Sequence, residues 1–183
     1  MKPGKNPYRV AVAAFALILC SMFVTRSGGL NASGTSVMPE IRSLLLDNGI
    51  RVFHINDELP KTEIMVSISY GKLFENMNNA GISGVIANSM LLSGSGKYKG
   101  DSAVKLIEAT GGSISVEAGW ESITIEIKVL SRDAALAFDI LSDLLTDPMF
   151  SRDDVGHSKK LVYQDYLRSL DDPASLGMVK LRE

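Results

Sequence analysis

The sequence predicts an α+β fold in which helices pack on one face of a mixed or antiparallel β-sheet. Short segments alternate apolar and polar residues with a period of two, which is typical of strands with one buried face. Longer segments repeat apolar residues at intervals of three and four, which is typical of helices. The predicted order is hairpin, strand, helix, helix, strand pair and three helices, as in a sheet with its helices on one side. The 45% hydrophobic content is sufficient for a buried core.

The first predicted element is a hairpin. Residues 43–46 and 50–55 are apolar runs on either side of Asp47, Asn48 and Gly49. An Asn-Gly pair readily takes the positive φ angles that a tight hairpin turn requires, so this segment indicates two antiparallel strands.

Three further strands follow from strict alternation. Residues 63–70 place Ile64 and its i+2 neighbours on one face, with polar residues and a methionine on the other. Residues 113–118 and 121–130 form a second pair around Gly119 and Trp120. Alternation of this kind predicts a sheet with one buried face and one solvated face.

The predicted helices begin and end at residues suited to helix termini. Asp101 or Ser102 is expected to cap the second helix, and Ser131 the third, because short polar side chains accept hydrogen bonds from the first free N–H groups. Ser151, with Asp154 three residues later, indicates the start of the fourth. These helices span residues 81–92, 102–110, 133–145 and about 151–170, and a last helix starts at Asp172 and Pro173, since proline is pre-set for a first helical turn.

The N-terminal region predicts export. Residues 1–26 combine an early basic stretch with the apolar run 10–24, as in a signal peptide or a membrane anchor. Cleavage after Ala32 and retention as an anchor both remain open, and lipid attachment at Cys20 is disfavoured because bulky Leu19 precedes it. Small polar residues at 27–41 predict a flexible linker, and the folded body is assigned to residues 42–183. The expected location is the periplasm or cell envelope.

The charge distribution argues against nucleic acid as a partner. The net charge is −2, and four basic residues but no acidic residue precede position 33, so the body is more acidic than the total suggests. An acidic body repels phosphate backbones, and no basic stripe interleaved with aromatic residues is present.

Six short strings, in this order, resemble the insulinase and pitrilysin peptidases, which include the mitochondrial processing peptidases. They lie within residues 43–180, and the resemblance implies a half-domain that pairs with a similar second half. The last of them falls near the end of the sequence, where no returning strand is seen, so the half-domain is expected to be truncated. The strings are Leu46–Val52, Val66–Glu75, Met90–Ser95, Leu106–Ile114, Leu141–Phe150 and Asp171–Leu176.

Active members of that family carry H-x-x-E-H on a helix, where two histidines four residues apart share one face and bind zinc. The intervening glutamate activates the attacking water, and a glutamate on a later helix completes the ligand set. Alignment from Met90 places Val85, Asn88 and Ser89 at the three motif positions. Alignment from Gly81 instead gives Gly84, Ala87 and Asn88, and neither set contains a histidine or a carboxylate.

The third-ligand position falls near Asp165, which alone would not hold zinc. The sequence therefore predicts neither a zinc site nor any other cofactor. Other chemistry is equally unsupported. His54 and His157 are predicted to lack a metal-binding neighbour at ligand spacing within their own elements, and Ser95 follows a helix rather than the strand that a nucleophile elbow requires.

These observations favour a non-catalytic, metallopeptidase-like envelope protein. The resemblance implies an active peptidase subunit of the same family as a partner and peptide or unfolded protein as a ligand, with membrane contact through an uncleaved N-terminus. One alternative is a tethered envelope protein that binds partners through an exposed sheet edge. Another is a truncated remnant without a function of its own.

Overall fold

The computed structural model describes residues 40–57 and 59–171. The N-terminal segment and the predicted last helix lie outside these residues. The elements, in chain order, are β1 (Ile41–Leu45), β2 (Arg51–Ile55), β3 (Lys61–Ile68), α1 (Ile82–Ser93), α2 (Ser102–Ala109), β4 (Ser113–Ala118), β5 (Ile123–Leu130), α3 (Ala134–Thr146) and α4 (Arg152–Asp171). Short 3₁₀ helices occupy Lys72–Phe74 and Ser131–Asp133.

The predicted α+β class is confirmed, and both sheets are antiparallel. One sheet has the order β3-β5-β4, and the hairpin β1–β2 forms a separate two-stranded sheet. Ile64 lies opposite Ile127 in β5, and Ile127 lies opposite Ile114 in β4. The alternating isoleucines and valines of the three strands therefore point to one face, which forms the floor of the core.

The helices cover that face and close the core. Ile107 from α2 and Leu144 from α3 are fully buried against the sheet, together with Ile125 and Ile127 of β5. The opposite face of the sheet carries the polar residues of the alternation, including Glu63 and Lys128, whose charged groups are 3.7 Å apart. The predicted one-sided burial is therefore present.

The hairpin turn differs from the predicted tight Asn-Gly turn. The Gly49 N–H donates to the Leu46 carbonyl (2.9 Å) and the Leu46 N–H to the Ile50 carbonyl (2.9 Å), so residues 47–49 form a three-residue loop. Gly49 takes a φ of +84°, which is the left-handed position that such loops place after a turn. Including Asp47 in the loop keeps Leu44 opposite Val52.

Two of the predicted helix caps are wrong. Asp101 stands at the start of α2 without a side-chain cap and pairs instead with Lys105 (2.8 Å), while the Ser102 hydroxyl donates to a carbonyl. Ser131 opens a 3₁₀ turn and accepts a hydrogen bond from the Thr62 hydroxyl (3.2 Å), because β5 delivers it beside β3.

The predicted start of α4 is confirmed. The Asp154 N–H donates to the Ser151 hydroxyl oxygen at 3.1 Å, and that hydroxyl donates back to the Asp154 carboxylate at 2.6 Å. The two side chains thus satisfy the first turn of the helix. Among the described residues, no helix is both long and apolar enough to span a bilayer.

Candidate functional site

The helix α1 contains the positions at which the family motif would lie, and Glu75 fixes its first turn. The Glu75 carboxylate accepts hydrogen bonds from the backbone N–H groups of Gly81 (2.7 Å) and Ser83 (2.9 Å) and from the Ser83 hydroxyl. A carboxylate at this end of a helix satisfies free donors and complements the helix dipole. Burial acts to raise the pKa of Glu75, but these hydrogen bonds and the charge of Lys72 outweigh it, so the pKa lies below its usual value.

The helix α4 runs antiparallel to α1 and packs closely along it. The Ser93 hydroxyl donates to the Asp154 carboxylate (2.8 Å), and one turn earlier in α1 the Ser89 hydroxyl donates to the Ser158 hydroxyl (2.9 Å). A further turn earlier, a Cβ added to Gly84 would lie 3.1 Å from a methyl group of Val162. The contacts advance along the two helices in opposite directions, with small residues on α1.

The first alignment of the motif places a histidine where the structure has no room for one. Ser89, at the second histidine position, is 0% exposed and is hydrogen-bonded to Ser158, which is also 0% exposed. Val85 and Asn88, at the first histidine and glutamate positions, are half-buried. Ser89, at the second histidine position, is therefore part of the closed interface between α1 and α4.

The second alignment meets the same obstacle. It places the first histidine at Gly84, where even a methyl group would contact Val162 more tightly than most packed side chains do. It places the glutamate at Ala87, which is 3% exposed. In both registers α4 occupies the space that at least one motif side chain would need.

Asp165, at the third-ligand position, lies away from this interface. The residue of α4 that meets Ser89 is Ser158, and Asp165 follows it by seven residues, or about 10 Å along the helix axis. The Asp165 side chain is 67% exposed and forms an ion pair with Arg168 at 3.1 Å. The structure thus brings Ser89 to Ser158 and leaves Asp165 in solvent.

These residues do not fit the zinc ion that active members of such a family bind. Zinc sites in proteins use imidazole, thiolate and carboxylate ligands, whereas the motif positions offer hydroxyl, amide and aliphatic side chains. Within residues 40–57 and 59–171, no group of three or more His, Cys, Asp or Glu side chains is placed to hold a metal. The motif positions of α1 therefore supply neither the ligands nor the general base of a zinc peptidase.

The surroundings of His157 differ from the prediction. His157 was predicted to have no carboxylate at ligand spacing in its own helix, but Asp153 and Asp154 precede it by one turn in α4. Hydrogen bonds from Ser151 and Ser93 lower the pKa of Asp154, and the nearby His157 contributes in the same direction. His54 lies on β2, half-buried and far along the chain from this helix.

A polar cluster that the sequence did not predict holds the loop after α1. The Asp139 carboxylate in α3 accepts hydrogen bonds from the Tyr98 hydroxyl and from the Lys97 ammonium group, which also lies 5.0 Å from the Tyr98 ring centre. The Lys97 N–H donates to Asp143 at 2.8 Å. Burial acts to raise the pKa of Asp139, but its two donors lower it overall. More than 40 residues separate the partners, so no local pattern could have indicated the cluster.

The solvated face of the three-stranded sheet carries an open groove of about 330 Å³. It extends from β3 across β5 to β4, which is an edge strand of this sheet in the described part of the chain. Its lining combines apolar surface with two hydroxyl and two carboxylate side chains: Met65, Ser115, Glu117, Ala118, Gly119, Thr124 and Glu126.

Comparison with known proteins places this architecture in a family. Residues 51–175 match the family described as insulinase (peptidase family M16). The subunit 1 of the human mitochondrial cytochrome b-c1 complex is 29% identical over 120 residues, or 66% of this chain and 25% of that protein. The beta subunit of the mitochondrial-processing peptidase of Dictyostelium discoideum is 26% identical over 146 residues, 78% of this chain and 31% of its own.

Bacterial proteins are similar as well. An uncharacterized zinc protease of Rickettsia felis is 24% identical over 132 residues, which cover 72% of this chain and 32% of that protein. The crystal structure of a protease from Helicobacter pylori superposes with a TM-score of 0.70 at 16% identity, covering 75% of this chain and 33% of the other, which shows a shared fold. The matched part thus spans between a quarter and a third of the length of these relatives.

Proposed function

The chain belongs to the insulinase family (peptidase family M16), and we propose that within it this protein is a non-catalytic, metallopeptidase-like member that acts as a partner or substrate-enclosing subunit of an active zinc peptidase. One observation carries the proposal: α4 fills the space that the motif side chains would need. Ser158 closes the position of Ser89, and Val162 closes that of Gly84. With neither zinc ligands nor space for them at the motif positions, the chain is suited to a binding role through other surfaces rather than to zinc-dependent chemistry.

The names of the relatives support the idea of a subunit. The cytochrome b-c1 and mitochondrial-processing proteins are each named as one subunit of a larger assembly. The chain spans only about a quarter to a third of such proteins. Their names therefore do not establish the partners or substrates of this chain, and both are proposed. We propose that the ligand is a peptide or an unfolded protein. This chain and a second chain that contains H-x-x-E-H would enclose it between them.

The experiment is affinity purification of the tagged chain from its native cells, followed by identification of co-purifying proteins and a zinc measurement on the isolated chain. We expect an insulinase-family protein with an intact motif in the eluate, and no zinc in the chain alone. Stoichiometric zinc together with chelator-sensitive peptide cleavage by the isolated chain would overturn the proposal.

A second candidate function rests on the sheet edge. β4 borders the open groove on the solvated face and, in the described part of the chain, has a strand on one side only. Such an edge offers backbone N–H and C=O groups that an extended segment of a partner can pair with. A tethered envelope protein that captures extended segments would use this edge without any peptidase partner.

Proline substitution separates the two candidates. Ala118→Pro in β4 removes a backbone donor that points away from β5, because the Gly119 N–H donates to Ser122 and hydrogen-bonded pairs alternate along antiparallel strands. Ser67→Pro in β3 removes an outward-pointing donor from the other edge of the sheet and is the matched control. Edge capture predicts that only the β4 variant loses binding to extended peptides, provided that both variants remain folded by circular dichroism. Equal binding by both would eliminate this candidate.

We further propose that the chain is exported and is held at the cell envelope through residues 1–26. Support comes from the basic residues that precede the apolar run 10–24. Fractionation of cells that express the full chain, with Lys2, Lys5 and Arg9 replaced by glutamate as the control, tests this assignment. Equal recovery of both proteins in the cytoplasm would refute it.

A further inference from the structure

The hairpin β1–β2 exposes an apolar face. Ile41, Leu45 and Phe53 are each 64% exposed, and Ile55 is 53% exposed. These four side chains lie on one face, because Ile41 is opposite Ile55 and the other two follow at even intervals along the same strands. In the described part of the chain the hairpin is a two-stranded sheet of its own. A two-stranded hairpin is only marginally stable in water, so a further strand beside it would stabilise it.

The outer edge of β2 presents the backbone groups that a further strand needs. The Leu46 N–H donates to the Ile50 carbonyl at 2.9 Å, which makes these two residues a hydrogen-bonded pair. Hydrogen-bonded pairs alternate along antiparallel strands, so the N–H and C=O groups of Val52 point toward β1. Those of Phe53 and Ile55 point outward and can pair with another strand.

We propose that β2 pairs antiparallel with β2 of a second copy of this chain, around a twofold axis that passes between the two His54 residues. In this register Phe53 lies opposite Ile55 of the second copy, and Arg51 lies opposite its Asp57. The two Phe53–Ile55 pairs use outward-pointing groups and give about four backbone hydrogen bonds, and continuation to Asp57 gives about eight, within the usual range for an interface. Such a dimer requires neither the proposed peptidase partner nor the edge of β4.

Charge complementarity selects this register. The Arg51 guanidinium group and the Asp57 carboxylate have opposite charges and meet twice, once on each side of the twofold axis. A shift of the second copy by two residues places Arg51 opposite Ile55 instead and gives neither charge a counterpart across the axis. Asp57 accepts a hydrogen bond from the Leu59 N–H at 3.2 Å, and a carboxylate has further acceptor positions for a guanidinium group.

The outer edge of β1 is less suited to pairing with its own copy. The charged residues there are Arg42 and Glu40, and a register that joins them across a twofold axis overlaps only residues 40–42 of the described chain. Arg42 and Glu40 already form an ion pair within the chain, with their charged groups 3.2 Å apart. The register of β2 overlaps residues 51–57, so β2 is the edge that a second copy fits.

A single cysteine at position 54 tests the pairing in the full chain, with Cys20 replaced by alanine so that no other thiol is present. Residues that face each other in a non-hydrogen-bonded antiparallel pair have Cα atoms about 4.5 Å apart, which suits a disulfide. His54→Cys should therefore form a disulfide with its own copy under mild oxidation. Arg42→Cys is the matched control, because Arg42 lies opposite His54 in the hairpin but on β1, three strand spacings or about 14 Å from its copy.

We expect the disulfide-linked dimer of His54→Cys to form at least about tenfold faster than that of Arg42→Cys, because paired strands hold the two thiols at a high effective concentration. Adding Arg51→Glu should slow this reaction by bringing like charges together, and adding Arg51→Glu/Asp57→Lys should restore it by exchanging the opposite charges. An unchanged rate with Arg51→Glu would overturn the register.

Three other results also overturn the proposal. Equal rates for His54→Cys and Arg42→Cys would show random collision, and a dimer of Arg42→Cys alone would show pairing through β1. Absence of a dimer in both would show that β2 does not pair with its own copy. If His54→Cys does not fold by circular dichroism, Val52→Cys/Asn56→Cys tests the same register, since these two residues form the next non-hydrogen-bonded pair.

Discussion

Replacing Ser89 by histidine is the most direct test of the closed interface between α1 and α4. In wild type, the Ser89 hydroxyl donates to Ser158 at 2.9 Å, and both side chains are 0% exposed. An imidazole ring at this position has to displace Ser158 or shift α4. Two unfavourable effects follow: overpacking, and loss of the hydrogen bond that satisfies the Ser158 hydroxyl.

The magnitude can be estimated from these two effects. Overpacking of a closed interior costs about 1–3 kcal/mol, and a buried hydroxyl left without a partner costs about 1–3 kcal/mol. The free energy of unfolding should therefore fall by about 2–6 kcal/mol, a large part of the roughly 5–15 kcal/mol that stabilises a typical domain. At about 3 °C per kcal/mol for a chain of this size, the melting temperature should fall by about 5–20 °C.

The assay is chemical denaturation followed by circular dichroism, on Ser89→His and on two companions. Ser89→Ala removes the hydrogen bond without adding volume, so it isolates the second effect. Ser89→His/Ser158→Gly makes space for the imidazole ring and should restore the part of the free energy of unfolding that overpacking removes. Ser89→His with a wild-type midpoint would refute the reasoning, and so would stoichiometric zinc binding by Val85→His/Asn88→Glu/Ser89→His.

Three further changes test the surroundings of the site. Glu75→Gln should flatten the pH dependence of the free energy of unfolding. Because the folded protein lowers the pKa of Glu75, this carboxylate stabilises the fold fully above its ordinary pKa of 4.5, and the stabilisation is lost as the pH falls through the lower folded value. The stabilities of wild type and variant should therefore converge in acid denaturation. Gly94→Ala should destabilise the fold by about 3 kcal/mol or more, because φ is +69° and an added Cβ would lie 2.6 Å from the Gly100 carbonyl oxygen. The control is Gly156→Ala in α4, where an added Cβ would meet nothing within 4 Å apart from its chain neighbours and the backbone of the helix. It should stabilise the fold by up to about 1 kcal/mol, measured by thermal unfolding. Asp139→Asn should weaken the attachment of the loop after α1, with faster amide exchange at Lys97 and Tyr98 as the readout.

The strands were predictable from the sequence because their period is local. β4 is found at the predicted residues 113–118, and β5 ends at Leu130 as expected. A sheet that is buried on one face has an apolar residue at every second position of each strand, so a segment of a few residues is enough to predict the strand. The hairpin loop was less predictable, since the same Asn-Gly pair fits loops of two and three residues.

The closure of the candidate site could not be predicted in the same way. The sequence showed which ligands are absent at Val85, Asn88 and Ser89, because that depends on residue type. It did not show that Ser158 and Val162 occupy the remaining space, since this depends on the register of two helices about 70 residues apart. The Glu75 contact with the start of α1 was missed for a related reason: it bridges a loop whose path has no periodic pattern.

The closure also bears on what kind of function the scaffold supports. An active site holds polar groups in an open cleft, which usually lowers stability. Here the corresponding positions carry a glycine, a buried alanine and a pair of mutually hydrogen-bonded serines, all of which favour close contact of α1 with α4. Restoring H-x-x-E-H on α1 alone would leave Ser158 and Val162 in place, so recovery of a metal site requires changes on both helices. Close packing of α1 against α4 makes a binding subunit more rigid. In a zinc peptidase the same packing would leave no space for the zinc ligands.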